Sequence, residues 1–250
     1  GAMLISTLPL FFLPEGGVDY NPAAEGPSDD RRKTTLTATT VFLVFLVGMV
    51  FINFGRNSIA IIFTQYLTLD AGLDLDSRTL SQIVNTQSLA IVALGWTVGW
   101  LCLRIGNGFT MLAGTLAAVA GLCLLTFSTA LPVIFAACFL RGIGDAVIMA
   151  AAYTFASVLI PPQMRGRLFA WFNGTFFLSF GVAGTLIAGP IVDGLISAGY
   201  AEPWAYRFSF AAAAGLTIIG LLIQAGLLWS LKKQRNAVLA ANGVNPDLHA

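Results

Sequence analysis

The chain has 250 residues, of which 57% are hydrophobic and only 10% charged, with a formal net charge of +1 and a mean hydropathy of +0.81. A soluble domain carries about a quarter charged residues, so this composition excludes a water-soluble core and requires a protein that crosses the membrane several times. The thirteen basic residues are scattered between apolar runs rather than clustered, which excludes a nucleic-acid partner.

Residues 4–13 form an apolar run of ten, too short to span a bilayer. They read as the end of a preceding span, a re-entrant piece or a loose tail. Residues 14–35 are rich in proline, glycine and charge and read as an aqueous linker, so residues 1–36 are expected to form an N-terminal tail and cytoplasmic linker. Six apolar segments follow at residues 37–67, 80–103, 109–127, 131–160, 168–196 and 205–231. Each is long enough for a helix to cross about 30 Å of hydrocarbon. The expected fold is therefore an all-α membrane domain of six transmembrane helices over residues 37–231, with a polar cytoplasmic tail at residues 232–250.

Arg31, Arg32, Lys33, Arg104, Arg165, Arg167, Lys232, Lys233 and Arg235 all fall on one side of this arrangement, against Arg78 and Arg207 on the other. The excess of positive charge predicts that both termini are cytoplasmic, in a cell (inner) membrane. Small residues predict close helix approach: Gly95 and Gly99 in span two, Ala117 and Gly121 in span three, and Gly181, Gly184, Ala188 and Gly189 in span five. Gly189-Pro190 is expected to bend span five, because proline lacks a backbone donor and crowds the preceding turn.

Cys102, Cys123 and Cys138 lie inside apolar runs, and the single histidine, His249, is next to the last residue. They give neither a disulfide framework nor a metal-ligand spacing, and no nucleophile–base pair or phosphate loop appears, so no cofactor or enzyme chemistry is expected. Ionisable groups at membrane depth are the informative exceptions, because burying charge in hydrocarbon is costly enough to need a reason. They are Arg56 in span one and Arg141 and Asp145 in span four. Arg141 and Asp145, four residues apart, share one helix face. They either neutralise each other as a structural pair or leave Asp145 to exchange a proton during function. Arg56 either snorkels to the outer interface or faces a central cavity. Asn53, Asn57, Asn85, Gln87, Asn173 and Gln224 either surround a solute or tie helices together. Trp96, Trp100, Trp171, Trp204 and Trp229 mostly fall near span ends and read as an interfacial belt.

Three elements together resemble the major facilitator superfamily. Residues 99–108, GWLCLRIGNG, are similar to its loop signature G-x-L-x-D-R-x-G-R-R/K, with Gly99, Leu101, Arg104 and Gly106 matching, Leu103 in the place of the aspartate, and Asn107 and Gly108 replacing the closing basic pair. Arg141-Gly142-Ile143-Gly144 resembles a shortened R-x-x-x-G-x-G element, and Arg165-Gly166-Arg167 resembles the basic turn before span five. Span five is similar to the glycine-rich G-P span of antiporter-type members, with Asp193 in a place usually given to a small residue.

The resemblance implies a six-helix half of a twelve-span transporter, more like the C-terminal half, built from two inverted three-helix units. It places spans one and four along a central cavity and residues 4–13 at the end of the other half. It also implies a gating loop of Gly99, Arg104, Gly106, Arg165 and Arg167. Asn53-x-x-Arg56-Asn57 resembles the opening helix of organic-anion and organophosphate members, where an arginine meets the substrate's negative charge. The expected function is secondary active transport of a small solute, an organic anion among the candidates, by alternating access. Arg56, Asn53, Asn57, Arg141, Gln87 and Asn173 are then the solute-binding residues and Asp145 the proton-coupling one. The expected partners are the lipid bilayer, the solute and a second six-helix half. The alternative is a membrane assembly subunit that kept the fold and lost transport.

Overall fold

The computed structural model describes residues 28–70, 72–160 and 164–241. The expectations for residues 4–13, for most of the linker and for the end of the C-terminal tail lie outside the described residues. The elements, in chain order, are α1 (Ser28–Ser58), α2 (Ala60–Leu67), α3 (Ser77–Gly95), α4 (Thr97–Ile105), α5 (Asn107–Phe127), α6 (Leu131–Leu159), α7 (Arg165–Leu178), a π-helical segment (Ser179–Ala188), α8 (Gly189–Ser197) and α9 (Glu202–Ala241). Strands are absent among the described residues.

Five stretches are long and apolar enough to cross a membrane as single helices: Thr39–Leu67, Asn107–Phe127, Leu131–Leu159, Arg165–Ser197 and Glu202–Asn236. The sixth crossing is the pair α3 and α4, bent by 57°. The bend falls where Gly95 offers no side chain and the Thr97 hydroxyl takes the Leu94 carbonyl at 2.8 Å, drawing an acceptor away from regular helix bonding. The molecule is thus an all-α, multi-pass integral membrane protein of six spans. Helix α1 begins at Ser28, inside the stretch expected as linker.

A compact unit begins at Thr37 and holds everything described below. Its buried residues form two apolar clusters. One contains Phe42, Phe45, Met49 and Ile52 of α1, Ile148 and Phe155 of α6, and Leu168 and Phe172 of α7. The other contains Ile59, Phe63 and Tyr66, then Ile134 and Cys138 of α6, Ala188 and Val192 of span five, and Phe210 of α9. Between them lie buried polar residues of four spans: Asn53, Arg56, Asn57 and Ser58 in span one, Arg141 in span four, Thr175 and Ser179 in span five, and Thr217 in span six. A polar layer is therefore sandwiched midway along the helices, where burial makes an unpaired donor costly.

Helices approach closely through glycine. A Cβ on Gly220 of α9 would stand 2.7 Å from the Gly48 carbonyl oxygen of α1, and one on Gly142 of α6 would stand 2.4 Å from the Gln87 carbonyl oxygen of α3. Gly114 and Gly144 seat α5 and α6 against each other. The small residues expected to do this are partly replaced. Gly121 does pack, against the Ala137 carbonyl and the Arg141 stem, but Gly95, Gly99 and Gly181 face open space. Spacing alone marks a face as small without saying which face meets a neighbour.

Span five departs from α geometry as Gly189-Pro190 suggested, but as a π-helix. The Gly189 N–H reaches back five residues to the Gly184 carbonyl, which lets the helix run into Pro190 without a proline N–H. At the start of span two, Asp76 caps α3 by accepting from the Arg78 N–H at 3.1 Å. The hydrogen bond from the Thr79 side chain, helped by backbone N–H groups, holds the Asp76 carboxyl below its usual range. A depressed carboxyl pKa stabilises the cap above the unfolded value, and that contribution disappears as pH falls through the folded one.

Gly142→Ala forces two helix backbones apart, so thermal unfolding in detergent should show a loss of about 1–3 kcal/mol despite alanine's better helix propensity. Gly95→Ala, with no atom within 4 Å of the added carbon, should leave the unfolding temperature unchanged or raise it.

Candidate functional site

The polar layer opens into a cavity of about 590 Å³ lined by Arg56, Asn57, Gln87, Arg141 and Asp145, with Phe63, Phe176 and Phe180 among its apolar walls. Spans one, two, four and five supply these residues. Arg56 is 4% exposed, so it faces the cavity and does not snorkel to the outer interface.

Asp145 is the centre of the network. One carboxylate oxygen accepts from the Arg56 guanidinium in an ion pair, and the other accepts from Gln87 Nε2 at 2.7 Å. This corrects the reading of Arg141 and Asp145 as a self-neutralising pair. Asp145 reaches across to spans one and two, while Arg141 lies over the Phe63 ring at 5.3 Å with one terminal nitrogen buried and without a hydrogen-bond partner. Sharing a helix face allows an i, i+4 contact; here tertiary partners on both carboxylate oxygens outcompete it.

Arg56 is itself held in place. Its Nε donates to Asn53 Oδ1 at 3.3 Å, and its guanidinium lies 5.6 Å from the Phe176 ring centroid. Asn53 Nδ2 donates to Thr175 Oγ1 at 3.1 Å, and Asn57 Nδ2 donates to Ser179 Oγ at 2.7 Å. Those hydroxyls donate in turn to the Phe172 and Phe176 carbonyls at 2.8 and 2.6 Å. Asn53 thus acts through Arg56, and Asn57 both lines the cavity and ties span one to span five. Thr175 and Ser179 were missed by sequence reasoning. The signal that finds them is spacing: residues four apart on span five meet residues four apart on span one, two rungs of one ladder.

The other candidates lie elsewhere. Asn173 accepts from the Tyr153 hydroxyl, in an aromatic group with Phe169 and Phe172. Gln224 ties span six to span one by donating to the Phe45 carbonyl at 2.7 Å. Asn85 lines a separate open groove on α3. Of the expected gating residues, Gly106 takes φ +83° as the single residue between α4 and α5, a conformation favouring glycine. Arg104 lies over Trp100 at 4.9 Å and Arg167 over Trp171 at 5.2 Å. Arg207 and Lys233 similarly cover Trp204 and Trp229, so four of the five tryptophans stand at span ends beneath a cation, as an interfacial belt requires. Among the described residues no group of His, Cys, Asp or Glu could hold a metal ion.

Double-mutant cycles read by thermal unfolding should separate the two possible partners of Asp145. Arg56→Gln with Asp145→Asn should couple by about 1–3 kcal/mol, because either single change strands a charge in the layer. Arg141→Gln with Asp145→Asn should be nearly additive. Strong coupling in the second cycle and none in the first would overturn the assignment.

A family model described as Major Facilitator Superfamily matches residues 30–247. Among solved structures, a crystal structure of the peptide transporter POT (E310Q mutant) in complex with alafosfalin is similar, at 18% sequence identity and a TM-score of 0.56. The match covers 82% of this chain and 44% of that one, so the chain spans less than half the length of that transporter, and the likeness is one of fold. A search of curated proteins finds no match.

Proposed function

Because the chain belongs to the major facilitator superfamily, we propose that it is one six-helix half of a secondary transporter that moves a small organic anion by alternating access. The observation that carries this reading is the meeting of two arginines and one carboxylate in a cavity at the middle of membrane-crossing helices. Charged groups are kept at that depth for a task, and this set has an excess of positive charge. Arg56 and Arg141 bind the anion, Gln87 and Asn57 border it, and Asn53 positions Arg56. Asn173, through Tyr153, braces spans four and five.

Asp145 couples the solute to protons. Ionised, it occupies Arg56 and leaves the site at +1; protonated, it releases the guanidinium and leaves +2. An anion binds better to the second state, and by linkage the bound anion favours the proton, so the two travel together. The turn at Gly99, Arg104 and Gly106, with Arg165 and Arg167 before span five, forms the cytoplasmic gate. The unlike residues Leu103, Asn107 and Gly108 place less charge on it than the family pattern does. A second six-helix half closes the cavity, both termini are cytoplasmic, and the protein resides in the cell (inner) membrane.

Uptake into proteoliposomes carrying the chain with its second half tests this. Saturable, proton-driven anion uptake is expected. Asp145→Asn should abolish its dependence on the pH gradient, and Arg56→Lys, which keeps charge and loses the two-pronged fork, should weaken apparent affinity by about tenfold, or about 1.4 kcal/mol. Wild-type affinity in the lysine variant would remove Arg56 from the site. Absence of saturable uptake for any anion would favour the scaffold role.

A further inference from the structure

The proposed anion site leaves open which anions fit, and this chain's cavity wall narrows them. Every charged group on that wall except one is already paired. Both oxygens of Asp145 are taken, by Arg56 and by Gln87. Asn57 donates to Ser179. The Thr64 hydroxyl donates to the Ile61 carbonyl at 3.0 Å. Arg56 also holds Asn53. The exception is Arg141, one of whose terminal nitrogens is buried without a hydrogen-bond partner and which has no ion-pair partner among the described residues. The rest of the wall is apolar or aromatic, with Phe63, Ile91, Met149, Phe176 and Phe180 on it.

From this inventory we infer, resting on the transport reading above, that the part of the solute meeting this chain is a single anionic group set in an apolar or aromatic body. The anion caps Arg141 and the body lies among Phe63, Phe176 and Phe180. A buried donor without a partner is destabilising, and a carboxylate oxygen that accepts from it offsets that cost. A second anionic group would find no second free cation while Asp145 is ionised. A positively charged group would have to separate Asp145 from Arg56 in a wall that already carries excess positive charge. The selection thus comes from what is missing as much as from what is present, since unpaired polar groups on a ligand are penalised in a dry site.

The test is calorimetric titration of the purified full chain, in an uncharged detergent above neutral pH, with four probes: phenylbutyrate, its neutral amide, succinate and inorganic phosphate. Phenylbutyrate should bind at least tenfold more tightly than each of the other three. Arg141→Gln should reduce phenylbutyrate to the level of the amide. Phe180→Ala, at a residue 48% exposed whose truncation leaves the buried clusters intact, should weaken phenylbutyrate severalfold and leave phosphate unchanged. That variant serves if Arg141→Gln fails to fold. Succinate or phosphate binding as tightly as phenylbutyrate, and lost in Arg141→Gln, would overturn the inference while leaving the anion site standing. Amide binding equal to phenylbutyrate, or no response of any anion to Arg141→Gln in folded protein, would overturn both.

Discussion

A carboxylate midway through a membrane bundle cannot be left to itself, and the way Asp145 is satisfied sets the rest of the arrangement. Its two oxygens draw on Arg56 from span one and Gln87 from span two, so three helices are fixed by one side chain. Removing water from an ion pair is costly, and the cost is recovered only where geometry and extra hydrogen bonds are good. Both partners are therefore themselves constrained: Arg56 by Asn53, and Gln87 by the close seating of Gly142 on its backbone. Alternative positions of these helices would strand at least one charge.

The two apolar clusters are a consequence of that layer. In span one the buried apolar residues end at Ile52 and resume at Ile59, and in span four they stop at Cys138 and resume at Ala146 and Ile148. The interruptions fall side by side because the charged residues must meet. Polar contacts also supply register that apolar packing in lipid does not, since lipid tails are as apolar as leucine. The Asn53–Thr175 and Asn57–Ser179 bonds share one sequence offset and lock spans one and five in parallel register. The π-helix that follows Thr175 begins at Ser179, so span five changes its winding where its polar ties to span one end.

The spans were legible in the sequence because length and hydropathy decide them, and so were the depth-buried residues, because Arg56, Arg141 and Asp145 interrupt apolar runs. Their pairing was not. An i, i+4 relation is visible in any sequence, whereas the reach from Arg56 to Asp145 depends on how two helices rotate against each other. That rotation is set by glycines such as Gly48, Gly142 and Gly220, whose roles look no different on paper from those of Gly95 and Gly99. Thr175 and Ser179 were hidden for a related reason. Single hydroxyls inside an apolar helix usually bond their own turn, and these do so as well, to Phe172 and Phe176, while also serving the asparagines of span one.

Arg141 shows how the fold sustains an unneutralised charge. Its stem runs over Gly121, where any side chain would collide with it, and its guanidinium rests on Phe63. The aromatic face compensates part of the charge without offering a hydrogen bond. Gly142 and Gly144, which follow it in α6, clamp that helix to α3 and α5 through backbone contacts. The helix bearing both charged residues thus cannot shift to bring Arg141 onto Asp145 without breaking this close packing. A rigid backbone therefore holds one arginine paired and the other without an ion-pair partner among the described residues, and the proposed anion binding rests on this separation rather than on the number of charges.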